Sequence, residues 1–213
     1  MTRFGFLLIP FILMLGAGGV QAQTVVDNFE SYDDGQIIGP SAQSTPWRRF
    51  GNATVDNVVA TAHPSKVIAG DLSAQYVVRW PAKFGSARYA YAAPTDLRAY
   101  AALSLTLRSD QAQSGTVLRL VIDDGETSFL SKASFPVTDQ AQRCAVALTA
   151  AAFERAAGNA AFDAVLAKIK SIGFNVTNPR TEAQGQLTQV LVFDGLCLYG
   201  PNDALPADAL PEP

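Results

Sequence analysis

Side chains able to do proton or electron-pair chemistry are few in this 213-residue chain: His63 is the only histidine, and Cys144 and Cys197 are the only cysteines. His63 stands in the turn-like string Ala62-His63-Pro64-Ser65, with no elbow motif to present a nucleophilic serine, so a Ser-His-acid triad has no support. One histidine and two distant cysteines lack the ligand spacing of a zinc site. Acids are paired at Asp33-Asp34 and Asp123-Asp124, but glycosidase acids face each other across the scissile bond, and neighbours in a turn rarely do. Both pairs read as solvated turn residues. The chemistry on offer points away from catalysis.

Recognition is better provided for. A face that binds a polar ligand needs aromatic platforms and planar polar groups. In Thr116 to Ile122, Leu118, Leu120 and Ile122 alternate with Arg119, Val121 and Asp123. If the apolar set fills a core, Arg119 and Asp123 must point away from it. Asn175 and Thr177 stand in the same way opposite Phe174 and Val176. Arg119 offers a planar fork of donors, and Asn175 offers both a donor and an acceptor. Tyr89 and Tyr91 share one face of their strand and are either a stacking surface or a buried aromatic pair. Trp47 and Trp80, flanked by apolar or turn residues, read as core.

The elements that would position these residues are strands. From Gln23 to Gly200, apolar runs of four to eight residues are separated by turn signals, the rhythm of an antiparallel sandwich. Eight strands are expected: Gln75 to Trp80, Arg88 to Ala92, Leu103 to Ser109, Thr116 to Ile122, Thr127 to Phe135, Arg143 to Leu148, Ser171 to Thr177 and Gln189 to Tyr199. Asp123-Asp124-Gly125 predicts a hairpin turn, because Asp and Gly tolerate positive φ. Alanine is dense between Ala150 and Lys170, and Phe162, Val165, Leu166 and Ile169 recur at helical spacing, which predicts one short helix.

The ends of the chain read differently. Arg3, the apolar run Phe4 to Leu15 and the small-x-small exit Val20-Gln21-Ala22 form a cleavable export signal covering residues 1–22. Twelve apolar residues interrupted by Pro10 fall short of the ~20 that a spanning helix needs. Cleavage after Ala22 leaves 191 residues, enough for one domain over 23–200, in the periplasm or secreted. The mature chain has 15 basic and 19 acidic residues, a net −4 without a basic cluster. That balance argues against nucleic acid or an anionic membrane as partner. Residues 201–213, proline-rich and without an aromatic, read as a disordered tail. The expected product is a monomer.

Four strings carry a family resemblance: VDNFESYDDG (Val26 to Gly35), DLRAYAALSLTLRSD (Asp96 to Asp110), KIKSIGFNVTN (Lys168 to Asn178) and VLVFDGLCLYG (Val190 to Gly200). In their order and spacing the chain resembles the family 11 carbohydrate-binding modules, within the wider galactose-binding-like jelly-roll class. The resemblance implies an all-β antiparallel sandwich acting as a non-catalytic binder of a polysaccharide or glycan. It also implies a structural Ca²⁺ held by acids of the first and last strands; the matching positions are Glu30 and Asp194, with Asp27 as a third. A second relative, the complex I intermediate-associated protein 30 family, implies a protein-binding or assembly module on a similar sandwich. In a jelly roll, Leu103 to Ser109 should lie between the strands of Cys144 and Cys197, placing them about 9.5 Å apart. A disulfide needs Cα atoms within roughly 7 Å, so both thiols are expected to be free.

Overall fold

A computed structural model describes residues 23–39, 45–54, 57–111 and 115–203. The expected export signal at 1–22 and nearly all of the expected tail lie outside the described residues. Period-two alternation has folded as expected, into two antiparallel sheets packed face to face. The strands are β1 (Thr24–Asp27), β2 (Trp47–Phe50), β3 (Val59–Thr61), β4 (Ser73–Trp80), β5 (Gly85–Thr95), β6 (Ala102–Ser109) and β7 (Val117–Asp123). They continue as β8 (Ser128–Ser131), β9 (Phe135–Pro136), β10 (Gln142–Ala147), β11 (Phe153–Ala157), β12 (Ile169–Thr177) and β13 (Leu187–Tyr199). The first sheet runs β10-β6-β13-β4-β3, with β1 on the far half of β13; the second runs β11-β8-β7-β12-β5-β2, with β9 on β7.

Between the sheets lie Leu103, Leu105 and Leu107 of β6, Leu118, Leu120 and Ile122 of β7, Ile172, Phe174 and Val176 of β12, and Leu191 and Phe193 of β13. Each is almost fully removed from water, worth about 1.5–3 kcal/mol per large side chain. Trp47 and Trp80 join this core. The buried amide of Gln189 is fully used there: Oε1 accepts from Trp80 Nε1 and Thr116 Oγ1, and Nε2 donates to Ser109 Oγ, each at 3.1 Å.

β13 changes face part-way. Its pairing with β6 slips between Asp194 and Cys197, where Gly195 takes φ 59°. One extra residue at such a bulge reverses the alternation. Phe193 and Leu196 therefore both face the core, whereas Cys197 and Tyr199 join Ala102 in a separate outer cluster.

The predicted hairpin joins β7 to β8, with Gly125 at φ 93° and both backbone amides of Glu126 and Thr127 donating to Asp124 Oδ1. Two expectations need correction. The alanine-dense stretch begins as a strand: β11 pairs antiparallel with β8, and helical structure is confined to the five residues of α1 (Phe162–Leu166). Gly158, at φ 75°, separates the two and packs where a Cβ would meet Glu126 O at 2.5 Å. The run Thr127 to Phe135 is two strands, because Ser131 turns its side chain into the ladder, accepting from Leu120 N and donating to Ala133 O.

β6 separates β10 from β13, and Cys144 faces the core while Cys197 faces outward, so both thiols are free. Burial pushes the Cys144 thiol up to about 12 and raises Cys197 as well. Thiol titration of the unreduced, unfolded monomer should therefore find two thiols per chain, and the native protein should react slowly, since the thiolate is the reactive form.

Candidate functional site

The side of the second sheet that faces away from the core is built by alternation on adjacent strands. Registers Asn175↔Arg119 and Gly173↔Arg88 set β7, β12 and β5 side by side, with Phe174, Leu120 and Ala87 directed inward at the neighbouring positions. Arg119, Asn175 and Thr177, three of the residues expected on this face, line one groove of about 470 Å³ with Lys83, Phe84, Arg88, Ser128 and Leu130. Gly173 leaves the middle of that face without a side chain; a Cβ there would meet Ala87 O at 2.3 Å.

The two arginines of the groove are each held by a neighbour. Arg119 Nη2 donates to Glu154 Oε1 of β11 at 2.6 Å, and its Nε donates to the carbonyl of Ser131, filling the break between β8 and β9. Asp123 does not line the groove but fixes a residue that does. Its Oδ2 accepts from Arg88 Nη1 at 3.1 Å, and its Oδ1 accepts from Gly125 N. The Arg88 guanidinium also lies 4.7 Å from the ring centroid of Phe50, an exposed aromatic of β2. Burial lowers the Arg88 pKa, opposed by Asp123. Asn175 Oδ1 is buried with no hydrogen-bond partner among the described residues. A buried acceptor left unpaired costs about 1–3 kcal/mol, so a ligand donor reaching it would recover that cost.

Tyr89 and Tyr91 are not on this face. Tyr89 pairs with Trp47 in register, and its ring packs edge-on against the indole at 6.0 Å; Tyr91 packs on Tyr89 at 5.4 Å. Both are partly buried and pack against the core, and neither lines the groove. The strand alternation that sends Arg88 outward sends these tyrosines inward. Residues missed from sequence are Lys83, Phe84, Arg88, Leu130 and Phe50; for Arg88 and Phe50 the signal was alternation in Arg88-Tyr89 and in Trp47-Arg48-Arg49-Phe50.

The three acids proposed for calcium separate into one and two. Asp27, 8% exposed, accepts from Phe29 N, Tyr32 Oη and Trp47 Nε1, each at 2.8 Å, and so binds protein donors with both oxygens. Glu30 and Asp194 line a second pocket, of about 310 Å³, on the first sheet. There they clamp one loop: Glu30 Oε1 accepts from Asp71 N and Leu72 N, and Asp194 Oδ2 from Ala69 N and Ser73 Oγ. As required for a shared ion, β1 and β13 are paired neighbours. Both oxygens of Asp27 are thus taken by protein donors, whereas among the described residues only Oε1 of Glu30 is seen to accept, which leaves Oε2 as the oxygen that could meet a cation. Among the described residues no three His, Cys, Asp or Glu side chains come together as a metal group. His63 lies in its expected turn, bonded through Nδ1 to Ser65 Oγ at 2.8 Å.

The two-sheet antiparallel sandwich is similar in fold to solved carbohydrate-binding modules. It is similar to the family 11 carbohydrate-binding module of a cellulosomal cellulase of Clostridium thermocellum, with 12% identity and a TM-score of 0.54 over 84% of this chain and 95% of the module. The Clostridium thermocellum family 11 module solved with a β-1,3-1,4-mixed-linked tetrasaccharide has 11% identity and a TM-score of 0.51 over 81% of this chain and 100% of that one. An agarase has 10% identity and a TM-score of 0.51 over 87% of this chain, but the likeness takes in only 26% of the enzyme. No protein-family model and no curated protein sequence matches the chain.

Two predictions follow from this geometry. Tyr89→Ala should lower stability by about 2–3 kcal/mol in a denaturant titration, as a core truncation does, while leaving groove residues in place. The second concerns Asp194, whose carboxyl is raised from 3.8 to about 6 by burial, with the charge of Glu30 adding to the rise. Because the folded state keeps this proton longer, the group's stabilising contribution is complete below the unfolded pKa and is lost as pH rises through about 6. In chelator the thermal midpoint should fall from this cause between pH 5 and 7. A cation shared with Glu30 would remove that fall in millimolar calcium, whereas curves that superimpose with and without calcium would leave the two carboxylates as loop clamps alone.

Proposed function

We propose that this protein is an exported, non-catalytic glycan-binding module that holds a polysaccharide in the groove on the outer face of its second sheet. The observation that carries the reading is the orphaned, buried Oδ1 of Asn175 beside the anchored guanidinium of Arg119. Sugar hydroxyls supply both a donor for the one and acceptors for the other. The groove's size lies within the usual range for small-ligand sites. The tetrasaccharide bound by a module of the same fold lends the reading support. Export rests on the sequence of residues 1–22, and with it a periplasmic or secreted location.

Hydroxyl recognition exchanges water for protein at little net gain, so affinity in the micromolar to millimolar range is expected, about −4 to −8 kcal/mol. Arg119→Ala and Asn175→Ala should each abolish binding measured by affinity electrophoresis on a panel of soluble polysaccharides. Their thermal midpoints should remain near that of the parent, since the Arg119–Glu154 pair is partly exposed and worth no more than about 1 kcal/mol. Failure of the intact domain to bind any polysaccharide on the panel would overturn the reading, and unfolding of Arg119→Ala would show that residue to be structural.

A further inference from the structure

We infer that the glycan is anionic, carrying carboxylates or sulfate esters, and that Lys83 together with the free edge of Arg119 receives its charge; the inference rests on the glycan-binding reading above. Every charged side chain lining the groove is basic: Lys83, Arg88 and Arg119. The two acids nearest them are already engaged, Asp123 by Arg88 and Glu154 by Arg119. Lys83 forms no ion pair among the described residues, and its side chain is exposed at the groove. Arg119, which lines the groove, uses Nε and Nη2 for the protein, and among the described residues no hydrogen bond is seen from its Nη1. This local excess of positive charge stands on a chain of net −3, so it is not a by-product of a generally basic surface.

The aromatic side of the site points the same way. A neutral sugar chain depends on stacking for much of its affinity. Phe50 is the one strongly exposed aromatic among the described residues, and the Arg88 guanidinium already lies over its ring. A charge-assisted hydrogen bond is roughly twice as strong as a neutral one, which favours a ligand that brings the negative partner. Convergent cations in a concave, partly desolvated groove also focus the field on such a ligand.

The test compares polymers that differ in charge but share a backbone: polygalacturonate against its fully methyl-esterified form, and a sulfated galactan against its desulfated form. Calorimetric titrations at low and high salt should show at least about tenfold tighter binding to one or both charged members, weakening as salt shortens the screening length. Lys83→Gln should reduce that preference several-fold, while the charge-matched control Lys66→Gln, in the turn between β3 and β4 of the first sheet, should keep it. A preference confined to the uronate or to the sulfated polymer identifies which anion is held, and either result supports the inference. Equal binding of charged and neutral partners would overturn the anionic assignment and leave a neutral-glycan site, and a preference indifferent to Lys83→Gln, or lost equally in Lys66→Gln, would overturn its placement in this groove. Binding to none of the four, nor to any neutral polysaccharide, would remove the underlying reading itself.

Discussion

Burial of the same face on three adjacent strands is the constraint from which the site follows. Leu118, Leu120 and Ile122 of β7, Phe174 and Val176 of β12 and Ala87 of β5 all enter the core between the sheets. Because side chains alternate strictly along a strand, their neighbours Arg119, Asn175, Thr177 and Arg88 have no choice but to face the other way. The energy that fixes this arrangement is hydrophobic and lies on the inner side. The groove on the outer side inherits rigid walls without contributing much to stability, which leaves its polar residues free to serve a ligand.

Two buried acids show how the same residue type serves opposite ends. Asp27 sits where β1 of the first sheet approaches β2 of the second, and its carboxylate, donated to by Tyr32 and Trp47, ties the two sheets together. It is a satisfied charge, held by three donors. Asp194 is also buried and also accepts three hydrogen bonds, but burial, with the charge of Glu30 adding to it, raises its carboxyl to about 6. A proton on Asp194 relieves the cost of burying its charge. The groove has the converse arrangement: its cations outnumber the acids that steady them, and the surplus faces solvent.

Strand structure at the centre of the molecule was legible because apolar residues repeat there with period two and turns are marked by Asp and Gly. The position of β6 between β10 and β13, and hence the separation of Cys144 from Cys197, followed from the jelly-roll resemblance. Legibility failed where a pattern was short or mixed. Residues 150–157 carry helix-favouring alanines, yet Phe153 is buried against the core and β8 offers an unpaired edge, so tertiary pairing overrides local propensity. The break at Ser131 left no trace in composition, because it depends on one hydroxyl replacing a ladder partner for Leu120.

By itself the sequence determined which residues of an unbulged strand share a face, since that depends only on backbone alternation. It therefore placed Arg119, Asn175 and Thr177 together before their strands were known to be neighbours. It did not determine which of the two faces of β5 was the inner one. Tyr89-Ala90-Tyr91 and Arg88-Tyr89-Ala90 are equally good alternations, and an aromatic suits a core or a platform. Only the tertiary structure decided, by seating Trp47 beside Tyr89 in the core and so turning Arg88 outward, 4.7 Å from Phe50 and paired with Asp123. Alternation is local to a strand, whereas the buried side is chosen by whichever partner strand and opposing sheet can remove the most apolar surface from water.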